Sequence, residues 1–210
     1  MKEFKEMIVR AREEGFQQKK GMGDLERVYS EVMDRRLYFG GFPSREHWEM
    51  WIRRVAGWGG TRITMVDLTT PLEKEEHALE VPTDEVMERW RVAYGVRVTR
   101  YSFPIPDNQA PVDREAFEEF LGVLRSRYRE DTSPCNPMII HCKGGHGRSA
   151  MVMIGMLYRA SPSPIDIHDV MNVITQIHHL RRDLHPKYRK QLCPTSACQR
   201  TFLKKSLAPG

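Results

Sequence analysis

Cysteine is scarce in this chain of 210 residues: only Cys135, Cys142, Cys193 and Cys198, with no CxxC pair and no zinc-like Cys/His spacing. That excludes a disulfide-dense secreted scaffold, and the sequence offers no metal-ligand cluster. No apolar run approaches the ~20 residues that cross a bilayer. The longest, Ala150 to Tyr158, is less than half of that, so no membrane span is expected. The first thirty residues mix Lys, Arg and Glu without an apolar stretch, which argues against a secretory signal and against a transit peptide. Charge of one sign barely dominates: 33 basic against 28 acidic side chains give +5, spread along the chain. Such a mild excess suits a protein that handles anions, and it lacks the clustered patch of a stable nucleic-acid binder. Internal repeats and low-complexity tracts are missing too. Reduced thiols and an intracellular setting, cytoplasmic or nuclear, are expected.

What is present reads as globular, with 40% hydrophobic and 29% charged residues. The length supports one well-buried core. Residues 1–35 read as a charged helical extension broken at Gly21 and Gly23, ahead of one domain over residues 36–205. Arg36–Phe42 reads as a strand entering a Gly-rich turn. Trp48, Trp51, Ile52 and Val55 recur at i, i+3, i+4 and i+7, one face of a helix capped by Ser44. Arg62–Leu68 is the next strand, and the charged stretch Thr69–Glu80 reads as a solvated face. Val96–Phe103 is a third strand, followed by the proline-framed loop PIPDNQAP. Asp113 caps a helix that buries Phe117, Phe120, Leu121 and Leu124. Met138–His141 is a short apolar strand, and Ala150–Tyr158 a helix apolar nearly all round, hence central. Ser163-Pro164 reads as the start of another helix with Val170, Ile174, Ile177 and Leu184 inward. Alternating strands and helices predict a single α/β domain with helices packed on a central sheet.

Chemistry concentrates in His141-Cys-Lys-Gly-Gly-His-Gly-Arg-Ser149. A thiol, Cys142, directly follows a strand, and Arg148 opens a helix. Gly144, Gly145 and Gly147 between them let successive amides turn inward as an anion nest that empties into a helix N-terminus. Arg148 closes the ring with a planar fork for two phosphate oxygens. The same electropositive setting favours the thiolate, so nucleophile and phosphate site coincide. Ser149 is placed to donate to the sulfur, and His141 to brace the loop by hydrogen bonds. An ester leaving group needs a proton, and Asp107 on the proline-framed loop is the candidate acid, later the base on water. Read alone, Asp107 is equally an ordinary turn aspartate.

HCKGGHGRS resembles the HCxxGxxR[ST] loop of the protein tyrosine phosphatase superfamily, in its compact dual-specificity branch. FPIPDNQAP is similar to that branch's mobile acid loop, RLYFGGFPS and ITMVDLTT to its first strands, and PTSACQRTFL to the closing helix of kinase-associated-phosphatase relatives. The likeness runs from about Arg36 to Leu203. It implies a mixed four- or five-stranded sheet flanked by helices, Cys142 as nucleophile, Arg148 as phosphate binder and Asp107 as acid/base. It also implies phosphate binding by the main chain of Lys143, Gly144, Gly145, His146, Gly147 and Arg148, assistance from Ser149, and no metal or cofactor. Gln199 corresponds either to a glutamine that orients water or to a helix-surface residue.

The implied substrate is a phosphorylated protein bearing phosphotyrosine or phosphoserine/threonine. Lys143 and His146 put two potential cations on the loop rim, which keeps acidic substrates such as phosphoinositides, and the 5′-triphosphate of RNA, in view. Both residues also read simply as solvent-facing. A non-catalytic phospho-binding module is disfavoured by the presence of Cys142, Arg148 and Asp107 together. Cys135, Cys193 or Cys198 is a candidate partner for a disulfide with oxidised Cys142.

Overall fold

The computed structural model describes residues 25, 28–33, 36–160, 165–181 and 184–207. Five strands form one mixed sheet: β1 (Tyr29–Met33), β2 (Leu37–Gly40), β3 (Arg62–Asp67), β4 (Arg97–Ser102) and β5 (Met138–His141), in the order β1-β2-β5-β3-β4. Only β1 runs antiparallel, pairing Tyr29 with Gly40; β2, β5, β3 and β4 are mutually parallel. Seven helices are described: α1 (Arg45–Gly57), α2 (Pro71–Glu76), α3 (Asp84–Tyr94), α4 (Arg114–Glu130), α5 (Arg148–Ala160), α6 (Ile167–His179) and α7 (Ala197–Leu207). None of them is long and apolar enough to cross a membrane.

The central strand shows why the sheet is covered on both sides. β5 is buried at all four positions, yet its pleat sends Met138 and Ile140 towards one apolar cluster and Ile139 towards another. The first cluster packs α4, α5, α6 and α7 on the sheet, with α5 buried from Arg148 through Leu157. The second is built by Trp48, Trp51, Ile52 and Val55 of α1 against Tyr38, Ile63 and Met65. Ser44 caps α1 in a capping box with His47, and Tyr38 meets Trp51 edge-on at 4.8 Å. The two tryptophans are core residues.

Four readings change. Tyr29–Met33, placed in a helical extension, is the edge strand β1. Pairing with β2 and burial of Tyr29 and Val32 outweigh the charged local sequence; the rest of that extension up to residue 24 lies outside the described residues. The solvated stretch after β3 contains α2, whose Glu73 is buried. α6 begins at Ile167 under Asp166, whose carboxylate accepts from His168 N at 2.9 Å, while Ser163 and Pro164 lie outside the described residues. Leu184 is buried but follows the end of that helix. The sequence also gave no notice of α3, an exposed helix that Thr83 caps and Gly95 (φ 69°) terminates.

Candidate active site

Parallel strands deliver loops to one edge: Glu73, Asp107 and Cys142 follow the C-terminal ends of β3, β4 and β5, while Gln199 comes from α7. From β5 comes the phosphate loop. Cys142 N donates to Gly40 O at 3.2 Å, and Phe42 N to Lys143 O at 3.0 Å, so the loop is stitched to the turn after β2. Gly145 N donates to the Cys142 sulfur at 3.2 Å, and that sulfur lies 3.6 Å from Ser149 Oγ. Gly145 has φ 74°, and a Cβ there would stand 2.3 Å from the Gly40 carbonyl carbon. Only glycine fits. The Gly145 carbonyl is held at 2.8 Å by Arg181, a buried guanidinium that also donates to Ser30 Oγ (2.9 Å) and Phe39 O (3.2 Å). In a planar trans peptide the N–H opposes the C=O, so this bond turns the His146 amide away from Arg181. Burial pulls the Arg181 guanidinium down to about 10.

Arg148 is fully buried and tightly held. Nη1 and Nη2 donate to the two carboxylate oxygens of Glu73 at 2.5 and 2.7 Å; Nη1 also reaches Ile105 O at 2.8 Å, and Nη2 reaches Asp107 Oδ1 at 3.0 Å. Burial lowers Arg148, but Glu73, Cys142 and Asp107 outweigh it and the net direction is upward. Burial raises Glu73, yet hydrogen bonds from Arg148 and Thr70 bring it below the usual carboxylate range. Both partners therefore favour the charged pair. The charged sequence around Glu73 reads as a solvated face, whereas the fold buries this carboxylate. Its sequence signal was available: Thr70-Pro71-Leu72-Glu73 is a capping box with proline at the first helical position, and the two capping contacts form at 3.1 and 3.2 Å.

Asp107 occupies the exposed turn after β4, its side chain 56% accessible, with Oδ1 on Arg148. Gln199 is fully buried rather than on a helix surface. Its Nε2 donates to Gln109 O at 2.8 Å, Oε1 has no hydrogen-bond partner, and a Cβ on Gly147 would meet that oxygen at 2.7 Å. The structure thus brings Cys142, Arg148, Asp107, Ser149 and Gln199 to one place.

The two histidines depart from expectation. His141 is buried and its Nδ1 has no hydrogen-bond partner; Asp67 Oδ1 is 3.9 Å away, too far for a hydrogen bond. Burial brings His141 down to about 4, so it is neutral and packs edge-on against Phe42 instead of bracing the loop through Nδ1. His146 stacks on Tyr188 at 3.8 Å with Nδ1 2.9 Å from His178 Nε2. Burial, then Arg181 and Lys187, lower His146 to about 4, so it is not a second rim cation. Lys143 is exposed, its Nζ 2.6 Å from His77 Nε2; as an ammonium has no lone pair, His77 is the acceptor. Of the remaining thiols, Cys193 is buried with Sγ 3.7 Å from His146 O and burial pushes it up to about 12, Cys135 is half-buried, and Cys198 is exposed; all four are free.

A cysteine-bearing glycine loop between the central parallel strand and a buried helix, with an aspartate turn beside it, is the arrangement of the protein tyrosine phosphatase superfamily of cysteine-based phosphatases. Within it the chain belongs to the PTP-like phytase family, whose model, described by the words "Inositol hexakisphosphate", matches residues 50–158. It is 27% identical over 177 residues to "Putative tyrosine phosphatase 067L" of Invertebrate iridescent virus 3, covering 83% of this chain and 62% of that one. The chain therefore spans about six-tenths of that relative's length. Among solved structures, a mutant form of Tk-PTP is 20% identical with a TM-score of 0.55, over 85% of this chain and 93% of its own. Kinase associated phosphatase, with its catalytic cysteine replaced by serine, is 16% identical with a TM-score of 0.52, over 87% and 96%. These two likenesses establish the shared fold.

Proposed function

We propose that this chain hydrolyses phosphate monoesters on proteins, both phosphotyrosine and phosphoserine/threonine, through a phospho-cysteine on Cys142. The observation that carries this reading is the convergence on Arg148: the guanidinium between the Cys142 loop and the Asp107 turn binds Asp107 directly. Cys142 sulfur attacks phosphorus as the ester oxygen leaves, and Asp107 gives that oxygen its proton. Arg148 and the amides of Lys143 to Arg148 receive the equatorial oxygens. Water then attacks the phospho-cysteine, Asp107 takes its proton, Gln199 Oε1 accepts its other hydrogen, and Ser149 steadies the departing thiolate. Free thiols of this kind suit a reducing intracellular compartment.

The test is hydrolysis of an aryl phosphate, sensitive to vanadate and indifferent to EDTA, by the native chain and by Cys142→Ser. Abolition is expected; full activity in the variant ends the proposal. A second reading, an inositol phosphate substrate, is favoured by the description of the matching family and by Lys143 on the loop rim. Rates on a phosphopeptide, inositol hexakisphosphate and a phosphoinositide vesicle, measured side by side, separate the two.

A further inference from the structure

Asp107 can act as an acid only if its turn is held over Cys142, and that turn is poor in bonds of its own. Pro104, Pro106 and Pro111 carry no N–H, so this stretch contributes little to any backbone ladder and its carbonyls need outside donors. Upstream of Asp107 the loop is anchored by its neighbours: Ile105 N donates to Leu68 O at 3.1 Å and Ile105 O accepts from Arg148. At Asp107 it becomes a tight turn, closed by Gln109 N on Pro106 O at 3.1 Å. Asn108 takes the left-handed third position (φ 58°), which asparagine tolerates.

Downstream, the anchorage comes from the other end of the chain. Ser196 Oγ donates to Asn108 O at 2.7 Å, and Cys198 Sγ donates to the same oxygen at 3.0 Å. Gln199 Nε2 donates to the next carbonyl, Gln109 O. Three donors from one turn of chain thus converge on two successive carbonyls just after the acid. Ser196 stands immediately before α7, where a serine hydroxyl ordinarily accepts from the helix's own free amides. Here it donates across to the loop.

We propose that the start of α7 is a clamp on the acid turn, with Ser196 and Cys198 as positioning residues that keep Asp107 where it can protonate the leaving group. The inference rests on the assignment of Asp107 above. Asn108 is exposed, so water replaces the lost donors at little cost to stability, while the carboxylate loses its fixed position. The consequence is selective. A basic leaving group needs the proton in the first step, whereas a strongly acidic phenol leaves without it.

The experiment compares kcat/KM, which reports formation of the phospho-enzyme, on phenyl phosphate and on 2,4-dinitrophenyl phosphate. For the Ser196→Ala/Cys198→Ala variant of the full chain, a loss of roughly tenfold or more is expected on phenyl phosphate, with less than about twofold on the dinitrophenyl ester. Cys198→Ser, which retains a donor, should keep the native ratio. In an Asp107→Asn background the double substitution should cost nothing further. Equal losses on both esters, or an added loss in that background, overturn the clamp. If Asp107→Asn itself treats the two esters alike, the acid assignment fails and the clamp fails with it. Discrimination by Asp107→Asn but not by the double variant removes the clamp alone.

Discussion

Arg148 must stay charged although it has almost no access to water, and Glu73 is what makes this tolerable. A buried guanidinium with a fork-on-fork carboxylate is stable as a pair and costly as a single ion. Removing the carboxylate in Glu73→Ala should destabilise the fold by roughly 3 kcal/mol. It also leaves Asp107 as the remaining acid on the guanidinium, so vanadate should bind about tenfold more weakly as Arg148 loses its fixed direction. Urea unfolding and vanadate inhibition measure the two effects. Native affinity together with native stability would show that Glu73 is a spectator. This residue was hidden because a charge-rich stretch looks solvated until its partner, distant in sequence, is placed beside it. The capping box at Thr70 announced a helix, and nothing local announced that its glutamate turns inward.

At the scale of elements, the three glycines of the phosphate loop look interchangeable in sequence and are not. Gly145 is wedged against backbone, with a hypothetical Cβ 2.3 Å from Gly40 C and 2.4 Å from Gly41 N, and its φ is left-handed. Gly145→Ala should therefore abolish activity and destabilise by about 2 kcal/mol or more, since neither obstacle is a movable side chain. A Cβ on Gly147 would meet the end of the Gln199 side chain first. Gly147→Ala should fold, displace that amide and behave like Gln199→Ala. Both should show a burst of dinitrophenol release from 2,4-dinitrophenyl phosphate and a kcat lowered roughly tenfold, with kcat/KM on that ester nearly unchanged, because a leaving group that needs no proton does not feel the loss of the Gln199 bond to the acid turn and only the second step is impaired. Rapid-mixing kinetics reads the burst; its absence in both variants counts against Gln199 as the water-orienting group. Elements whose signals are local were legible in advance: α1 from its cap and apolar stripe, and β5, the loop and α5 from strand, glycines and apolar helix. β1 was not, because an edge strand flanked by charged residues is defined by the strand it pairs with.

For the whole molecule, the sheet order brings Gly40, Glu73, Asp107 and Cys142 to the ends of neighbouring strands and α7 adds Gln199; the sequence showed Cys142, Asp107 and Gln199 of that set but not Glu73. It did not show burial, which changes what the histidines are. His141, His146 and His178 are each held neutral by burial, the first two lowered to about 4, with His141 facing Asp67 and Lys74. A folded-state value below the ordinary one of about 6.5 means that the unfolded chain binds more protons between those limits. Stability should therefore fall as pH drops from about 6.5 to about 4, before the depressed carboxyls of Asp67 and Glu73 lose their own contribution at lower pH. His141 alone should account for about 3 kcal/mol by pH 4, its side chain being almost wholly inaccessible. Urea unfolding at pH 7, 5.5 and 4.5 should show this decline in the native chain and a shallower one in His141→Asn, whose amide does not titrate. Parallel declines in the two proteins would mean that His141 takes up its proton as readily folded as unfolded, and that burial does not keep its ring neutral.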